Sequence, residues 1–240
     1  MRNKTVDISA RMQALTAMVT PGNIVCDIGC DHGFVSIYLV QKGIANKVFA
    51  MDVRSGPLSH AQAHILEYGL ENRIETRLSD GLESLKPGEA ECMICAGMGG
   101  PLMMKILREG SDKAHLMSEL ILQPQSEIAQ FRKFLRTSGY VIVKEDMVLE
   151  EGKYYPVIKA VPGSEQKNND LLKQQIYDLY GAYLLEHKHP VLKQYLEYSR
   201  NITEELQVRL EEQKSEKALE KLPEVREKLE LISTALKFFV

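Results

Sequence analysis

Short apolar runs alternate with amphipathic stretches through the first two thirds of this chain, and that alternation constrains its fold more than any other feature. The runs fall at 24–28, 47–52, 74–78, 92–96, 120–123 and 140–149, with helical spacing at 34–42, 58–68, 101–108 and 126–137 between them. Several runs are apolar almost throughout, as in Cys92-Met93-Ile94-Cys95-Ala96. Such runs suit parallel strands covered on both faces. Strand and helix in repeated succession predict a doubly wound α/β sheet. The pattern closes differently: 140–149 and 154–161 are strand-like runs separated only by Glu150-Glu151-Gly152-Lys153. A link that short cannot cross over a parallel sheet, so these two strands are predicted to be antiparallel. An amphipathic helix over 8–19 precedes the first strand.

Past Val161-Pro162-Gly163 the character changes, which divides the chain into 1–163 and 164–240. The second part is rich in Leu, Glu, Lys and Gln, and Leu171, Leu172, Gln175, Ile176, Leu179 and Tyr180 repeat at helical spacing. Two or three long helices are expected, as a hairpin or an antiparallel coiled coil, with Pro190 and Pro223 marking starts or kinks. This segment reads equally as a solvated helical face or as a partner-binding surface. A helical tail either folds back on itself or pairs with a second copy, so a monomer or a weak homodimer is expected.

Composition excludes several classes. With 240 residues, 44% hydrophobic and 26% charged, the chain is neither low-complexity nor disordered. No apolar run approaches the roughly 20 residues a membrane span needs, and the start from Met1 to Asp7 has no apolar stretch behind its charges. A cytoplasmic protein without membrane association is expected. The net charge of -3 and pI near 6.1 supply no general basic field, so a nucleic-acid partner would need a local patch. Cys26, Cys30, Cys92 and Cys95 sit inside apolar segments, which suits reduced thiols rather than a disulfide framework.

The first strand runs into Asp27-Ile28-Gly29-Cys30-Asp31-His32-Gly33, then a helix. A glycine turn at this place lets the backbone approach a nucleotide closely. Asp31 stands where a dinucleotide fingerprint wants glycine and would oppose a pyrophosphate. A nucleoside carrying a sulfonium and an ammonium group tolerates an acidic loop, which describes S-adenosylmethionine. The second run ends at Asp52, where an acid accepts hydrogen bonds from ribose hydroxyls, and the third at Leu78-Ser79-Asp80-Gly81. Each acid alone could be a turn or capping aspartate. Together they deliver carboxylates to one edge of the sheet. The fourth run ends in Cys95-Ala96-Gly97-Met98-Gly99-Gly100, whose glycines leave room for a substrate beside the cofactor.

These motifs, with Asp80-Gly81-Leu82-Glu83, Gly152-Lys153-Tyr154-Tyr155 and Tyr180-Gly181-Ala182-Tyr183-Leu184, resemble the bacterial tRNA (adenine-22-N1)-methyltransferase family over nearly the whole chain. Cys30 stands where that family often carries Ser. The resemblance implies a Rossmann-like class I methyltransferase sheet with a reversed last strand, S-adenosylmethionine as donor, and an adenine of the tRNA D-arm region as acceptor. The acceptor position, 22, rests on resemblance entirely. It places Asp27, Gly29, Asp31, His32, Asp52, Val53, Asp80, Gly81, Ala96, Gly97 and Met98 around the cofactor. Gly99, Gly100, Arg54, Lys105 and Arg108 are expected on the substrate side, the helical segment 164–240 is expected to hold tRNA, and no metal is implied.

Adenine N1 has a lone pair and no proton to lose, so methyl transfer to it needs positioning more than a general base. Positive charge developing on the ring would be stabilised by a carboxylate, and Asp31 is the candidate. His32 either contacts the cofactor or caps the following helix. Cys92-Met93-Ile94-Cys95 has the spacing of a metal or redox pair, but residues three apart on a strand face opposite sides. His187-Lys188-His189 reads as a polar helix end. Cations available to phosphates are Arg2, Lys4, Arg11, Arg54, Lys105, Arg108, Lys133 and Arg136. Two other readings stay open: a methyltransferase of the same fold acting on a small molecule, and a noncatalytic RNA-binding protein.

Overall fold

A computed structural model describes residues 5–164, 170–213 and 215–240. Arg2 and Lys4, two of the candidate RNA-contacting cations, lie outside the described residues. The chain divides into two compact units, Met1–Gln166 and Lys167–Val240.

The first unit holds α1 (Ala10–Thr16), β1 (Ile24–Ile28), α2 (Phe34–Gln41), β2 (Lys47–Asp52), α3 (Ser55–Glu67) and β3 (Ile74–Leu78). It continues with β4 (Cys92–Met98), α4 (Gly100–Glu109), the short α5 (Ser111–Ala114), β5 (Glu119–Pro124), α6 (Ile128–Thr137), β6 (Tyr140–Glu150) and β7 (Lys153–Pro162). The described strands form one seven-stranded sheet in the order β3-β2-β1-β4-β5-β7-β6. The ladders joining β3, β2, β1, β4 and β5 are parallel, and β7 runs antiparallel to both β5 and β6. The predicted antiparallel ending is therefore present, and β7 lies between β5 and β6 rather than at the edge. Glu151 and Gly152 both take positive φ, 49° and 75°, and so make the two-residue turn that matches the twist of the β6–β7 hairpin.

Apolar runs work as expected of strands covered on both faces. Cys26, Ile28, Phe49, Met51, Met93, Cys95, Leu120 and Leu122 point into one buried cluster, and Val25, Val48, Ala50, Cys92, Ile94 and Ile121 into another. Cys92 and Cys95 thus lie on opposite faces of β4, and all four cysteines are free and buried. Burial pushes each thiol up, Cys95 to about 12, so none is a thiolate at neutral pH.

An almost fully buried ion pair ties α6 to β6 in this unit. Arg132 on α6 donates from Nε to Glu145 Oε1 on β6 at 2.8 Å, with the two side chains 3% and 0% exposed.

The second unit contains α7 (Leu171–Tyr180), α8 (Ala182–Glu186), α9 (Pro190–Gln213) and α10 (Glu216–Leu236). Pro190 begins α9, where its missing N–H costs nothing, whereas Pro223 lies inside α10. α9 and α10 pack together through Leu206, Leu210, Ala218, Leu222 and Val225. No described helix is long and apolar enough to cross a membrane.

Taking one member from a buried ion pair costs more than replacing both. Glu145→Ala is expected to lower the unfolding free energy by about 3–5 kcal/mol. The double change Arg132→Met with Glu145→Leu should cost less than that single change. Urea denaturation of the three proteins checks the order.

Candidate active site

Strand order reverses between β1 and β4, and in an open α/β sheet the crevice outside the strand ends at that reversal is where ligands bind. A cleft of about 710 Å³ opens there. Volumes of this size hold nucleoside-sized ligands.

The turn after β1 is pinned from below. The N–H groups of Gly29 and Cys30 both donate to the Met51 carbonyl, at 2.8 and 3.0 Å. Gly29 takes φ +73°, and a Cβ there would run into the Met98 methyl group. The left-handed φ favours glycine here, and a larger residue would also have to displace that methyl group. Two residues on, Asp31 also takes a positive φ of 50°, which Asp tolerates better than most side chains. That conformation leaves its side chain 61% exposed at the cleft, with Oδ2 3.8 Å from His32 Nε2.

Asp27 forms the buried floor. Its Oδ2 accepts from the Ser36 hydroxyl on α2 at 2.7 Å. Desolvation pushes its carboxyl up to about 6, opposed by the Ser36 hydrogen bond and reinforced by the nearby Asp52 charge. Asp52, at the end of β2, is buried too. Its Oδ1 accepts from the Arg54 N–H at 2.8 Å and its Oδ2 from the Asp31 N–H at 3.4 Å. Each carboxylate oxygen keeps a further lone pair for a ligand hydroxyl. Asp80 is exposed at the end of β3, with Oδ2 3.7 Å from Lys105 Nζ.

On the far side, β4 ends in a bulge. Ala96 pairs with Gln123 and Met98 with Pro124, leaving Gly97 between them unpaired at φ +77°. Its N–H donates to the buried Gln123 Oε1 at 3.2 Å, and the same oxygen accepts from Arg11 Nη1 at 2.9 Å. Arg11 also ion-pairs with Glu150 at 3.7 Å and lies 4.8 Å from the centre of the Tyr155 ring. Asp7, Ile8, Ser9, Arg11 and Met12 consequently wall the cleft beside Gly97.

Of the expected residues, Asp27, Gly29, Asp31, His32, Asp52, Val53, Arg54, Asp80, Gly81, Ala96, Gly97 and Met98 line the cleft. Gly99, Gly100, Lys105 and Arg108 are not among its lining residues. Gly99 is the N-cap of α4, and the Gly100 N–H donates to the Ser126 carbonyl at 3.2 Å, so these glycines allow a helix start to pack against the β5–α6 loop. A Cβ on Gly100 would collide with that carbonyl. Lys105 pairs with Asp80 and Glu109, and the Arg108 guanidinium lies 4.9 Å from the centre of the Phe134 ring. His32 does not cap α2, whose N-cap is Gly33. Its side chain lines the cleft instead. Arg11, expected to be open to phosphates, is enclosed by Gln123, Glu150 and Tyr155. Reading the residues left the N-terminal wall and Gln123 unassigned as parts of the site. Among the described residues no group of three or more His, Cys, Asp and Glu is arranged to hold a metal ion.

Parallel strands ending in a reversed seventh, a glycine turn after β1 and acids closing β2 and β3 define a Rossmann-like methyltransferase domain. A family described as "Methyltransferase domain" matches residues 8–158. The tRNA (adenine(22)-N(1))-methyltransferase of Bacillus subtilis is 30% identical over 95% of this chain and 97% of its own. The chain belongs to that tRNA (adenine(22)-N(1))-methyltransferase family. The crystal structure of the B. subtilis m1A22 tRNA methyltransferase TrmK is similar at a TM-score of 0.81, with 29% identity over 96% of this chain and 99% of that one. Streptococcus pneumoniae Sp1610 in complex with S-adenosyl-L-methionine is similar at 0.83, with 28% identity over 96% of this chain and all (100%) of that one.

Asp27 yields a signed expectation. Between its ordinary 3.8 and about 6, the folded state holds a proton that the unfolded chain releases. Its contribution to stability therefore falls as pH rises through that window. Asp27→Asn keeps an acceptor for Ser36 and removes the titration. The difference in unfolding free energy between variant and wild type should change in the variant's favour from pH 4 to pH 7, as read by urea melts along that range.

Proposed function

We propose that this chain transfers the methyl group of S-adenosyl-L-methionine to N1 of the adenine at position 22 of tRNA. The observation that carries the reading is the cleft itself: a left-handed glycine turn, a buried acid pair and a glycine bulge converge at the strand reversal, in a chain of this family.

The residues present fit a nucleoside bearing a sulfonium. Gly29 and Gly97 lack the side chains that would fill its place, and the Asp52 carboxylate is oriented by two backbone N–H groups to accept from ribose hydroxyls. Asp80 and Val53 would bound the adenine, and Asp27 supplies negative charge beneath the turn. When bound, the cofactor supplies an electrophilic methyl group.

Asp31 is our choice for the acceptor side. Methyl transfer leaves positive charge on the adenine ring, and an exposed carboxylate held in a fixed left-handed turn meets that charge without reorganising. It would also accept a hydrogen bond from the adenine N6 amine. The Gln123–Gly97 hydrogen bond sets the wall against which the acceptor is aligned, which is the main demand of the reaction. Phosphate contacts are assigned to Arg54, whose side chain is 68% exposed, to Lys105 and Lys133, and to the helical unit 164–240. A cytoplasmic location, where tRNA and S-adenosyl-L-methionine are both available, is part of this reading.

Methyl transfer from labelled cofactor to unmodified tRNA, followed by nuclease digestion and mass spectrometry, tests the function. N1-methyladenosine should appear at one D-arm adenine and vanish when that base is changed. A cofactor-binding protein that labels no tRNA would overturn the reading. Asp31→Ala is expected to lower kcat by about 10²-fold, and full turnover in that variant with normal cofactor binding would remove Asp31 from its role.

A further inference from the structure

Four rings meet at the lip of the cleft. His32 and Phe34 line it, while His60 and His64 extend from it along α3. The His32 and His60 centroids are 5.3 Å apart with planes inclined by 22°, and those of Phe34 and His64 are 4.7 Å apart at the same inclination. His32 joins the two pairs, 6.1 Å from Phe34 and 5.9 Å from His64. The His64 Nδ1 is held 3.0 Å from the His32 carbonyl oxygen, which fixes that ring in the ladder.

These rings are stacked on one another without being buried. Phe34 is 38% exposed and His60 is exposed. A ring placed only to fill the core would be covered, as Phe131 is. Stacked, solvent-facing aromatic surface is suited to receiving another flat ring. Charge decides what kind. The exposed Asp31 carboxylate lies 3.8 Å from His32 Nε2, so a phosphate would meet a like charge. A neutral nucleobase would not, and its amino edge would find an acceptor.

We propose that Phe34, His60 and His64, with His32, form a stacking platform for an unpaired nucleobase next to the methylated adenine. This rests on the tRNA reading above and adds a second RNA subsite to it. The chemistry creates the need. N1 lies on the pairing edge of adenine, so the target must leave its stack to be reached, and its neighbour loses a stacking partner. Aromatic faces beside the cleft replace that partner and are indifferent to base identity.

His60 is the residue to change, since it is exposed and outside the cleft lining. In the full chain, His60→Ala should raise KM for unmodified tRNA about tenfold, with kcat, cofactor Kd and Tm unchanged, and His60→Tyr should restore KM. With 2-aminopurine next to the methylated adenine, wild-type protein should quench the fluorescence and His60→Ala should not. A His60→Ala enzyme with KM within twofold of wild type and full quenching would overturn the proposal. Failure of the function reading is distinguishable, because the wild-type chain itself would then methylate no tRNA.

Discussion

Parallel strands can be joined only by crossing over their sheet, and everything at this site follows from where that crossing changes direction. β1, β2 and β3 build outward one way, and β4 and β5 return to the other side of β1. Where the two sets of connections part, no helix covers the strand ends, and a crevice remains. The ends of β1, β2 and β3 bring Asp31, Asp52 and Asp80 to it from one side, and β4 brings Gly97 from the other. None of these residues is near another in the sequence. Their meeting is a property of topology, and side chains then refine it.

The refinement depends on backbone that ordinary residues avoid. Gly29, Asp31 and Gly97 all have positive φ, and each conformation has a named support: the Met51 carbonyl beneath the first turn, Asp52 Oδ2 on the Asp31 N–H, and Gln123 Oε1 on the Gly97 N–H. Such supports hold sparsely populated conformations in place, so little reorganisation is left for the moment of reaction. Asp27 is the counterpart in charge: burial raises its carboxyl to about 6, against the pull of the Ser36 hydrogen bond.

Much of this was legible in the sequence, for identifiable reasons. Acids that close apolar runs, such as Asp52 and Asp80, announce their place because a strand end has a fixed position in a doubly wound sheet. The β6–β7 reversal was readable because four residues cannot span a sheet. The second unit's helices were readable from spacing and from Pro190, and Pro223, read as a helix start or a kink, lies inside α10 and so begins no helix. What could not be read were partnerships made by distant chain segments. Nothing local marks Arg11 as a neighbour of Gln123 and Glu150, 112 and 139 residues away. Gly99 and Gly100 carry an ambiguity of another kind: a glycine that admits a ligand and one that admits a carbonyl, as Gly100 admits that of Ser126, look the same in a sequence.

The Arg11 contacts also bear on when the cleft comes into being during synthesis. The N-terminal wall leaves the ribosome first, yet the groups that hold Arg11 are on β5, β6 and the turn-proximal part of β7. A chain ending at β5 would have the glycine turn and the acids but would lack Glu150 and Tyr155, which hold Arg11 in that wall. β7 must then insert between β5 and β6 before the hairpin is seated. Completion of the cleft wall thus depends on contacts that only the last strands of the unit supply.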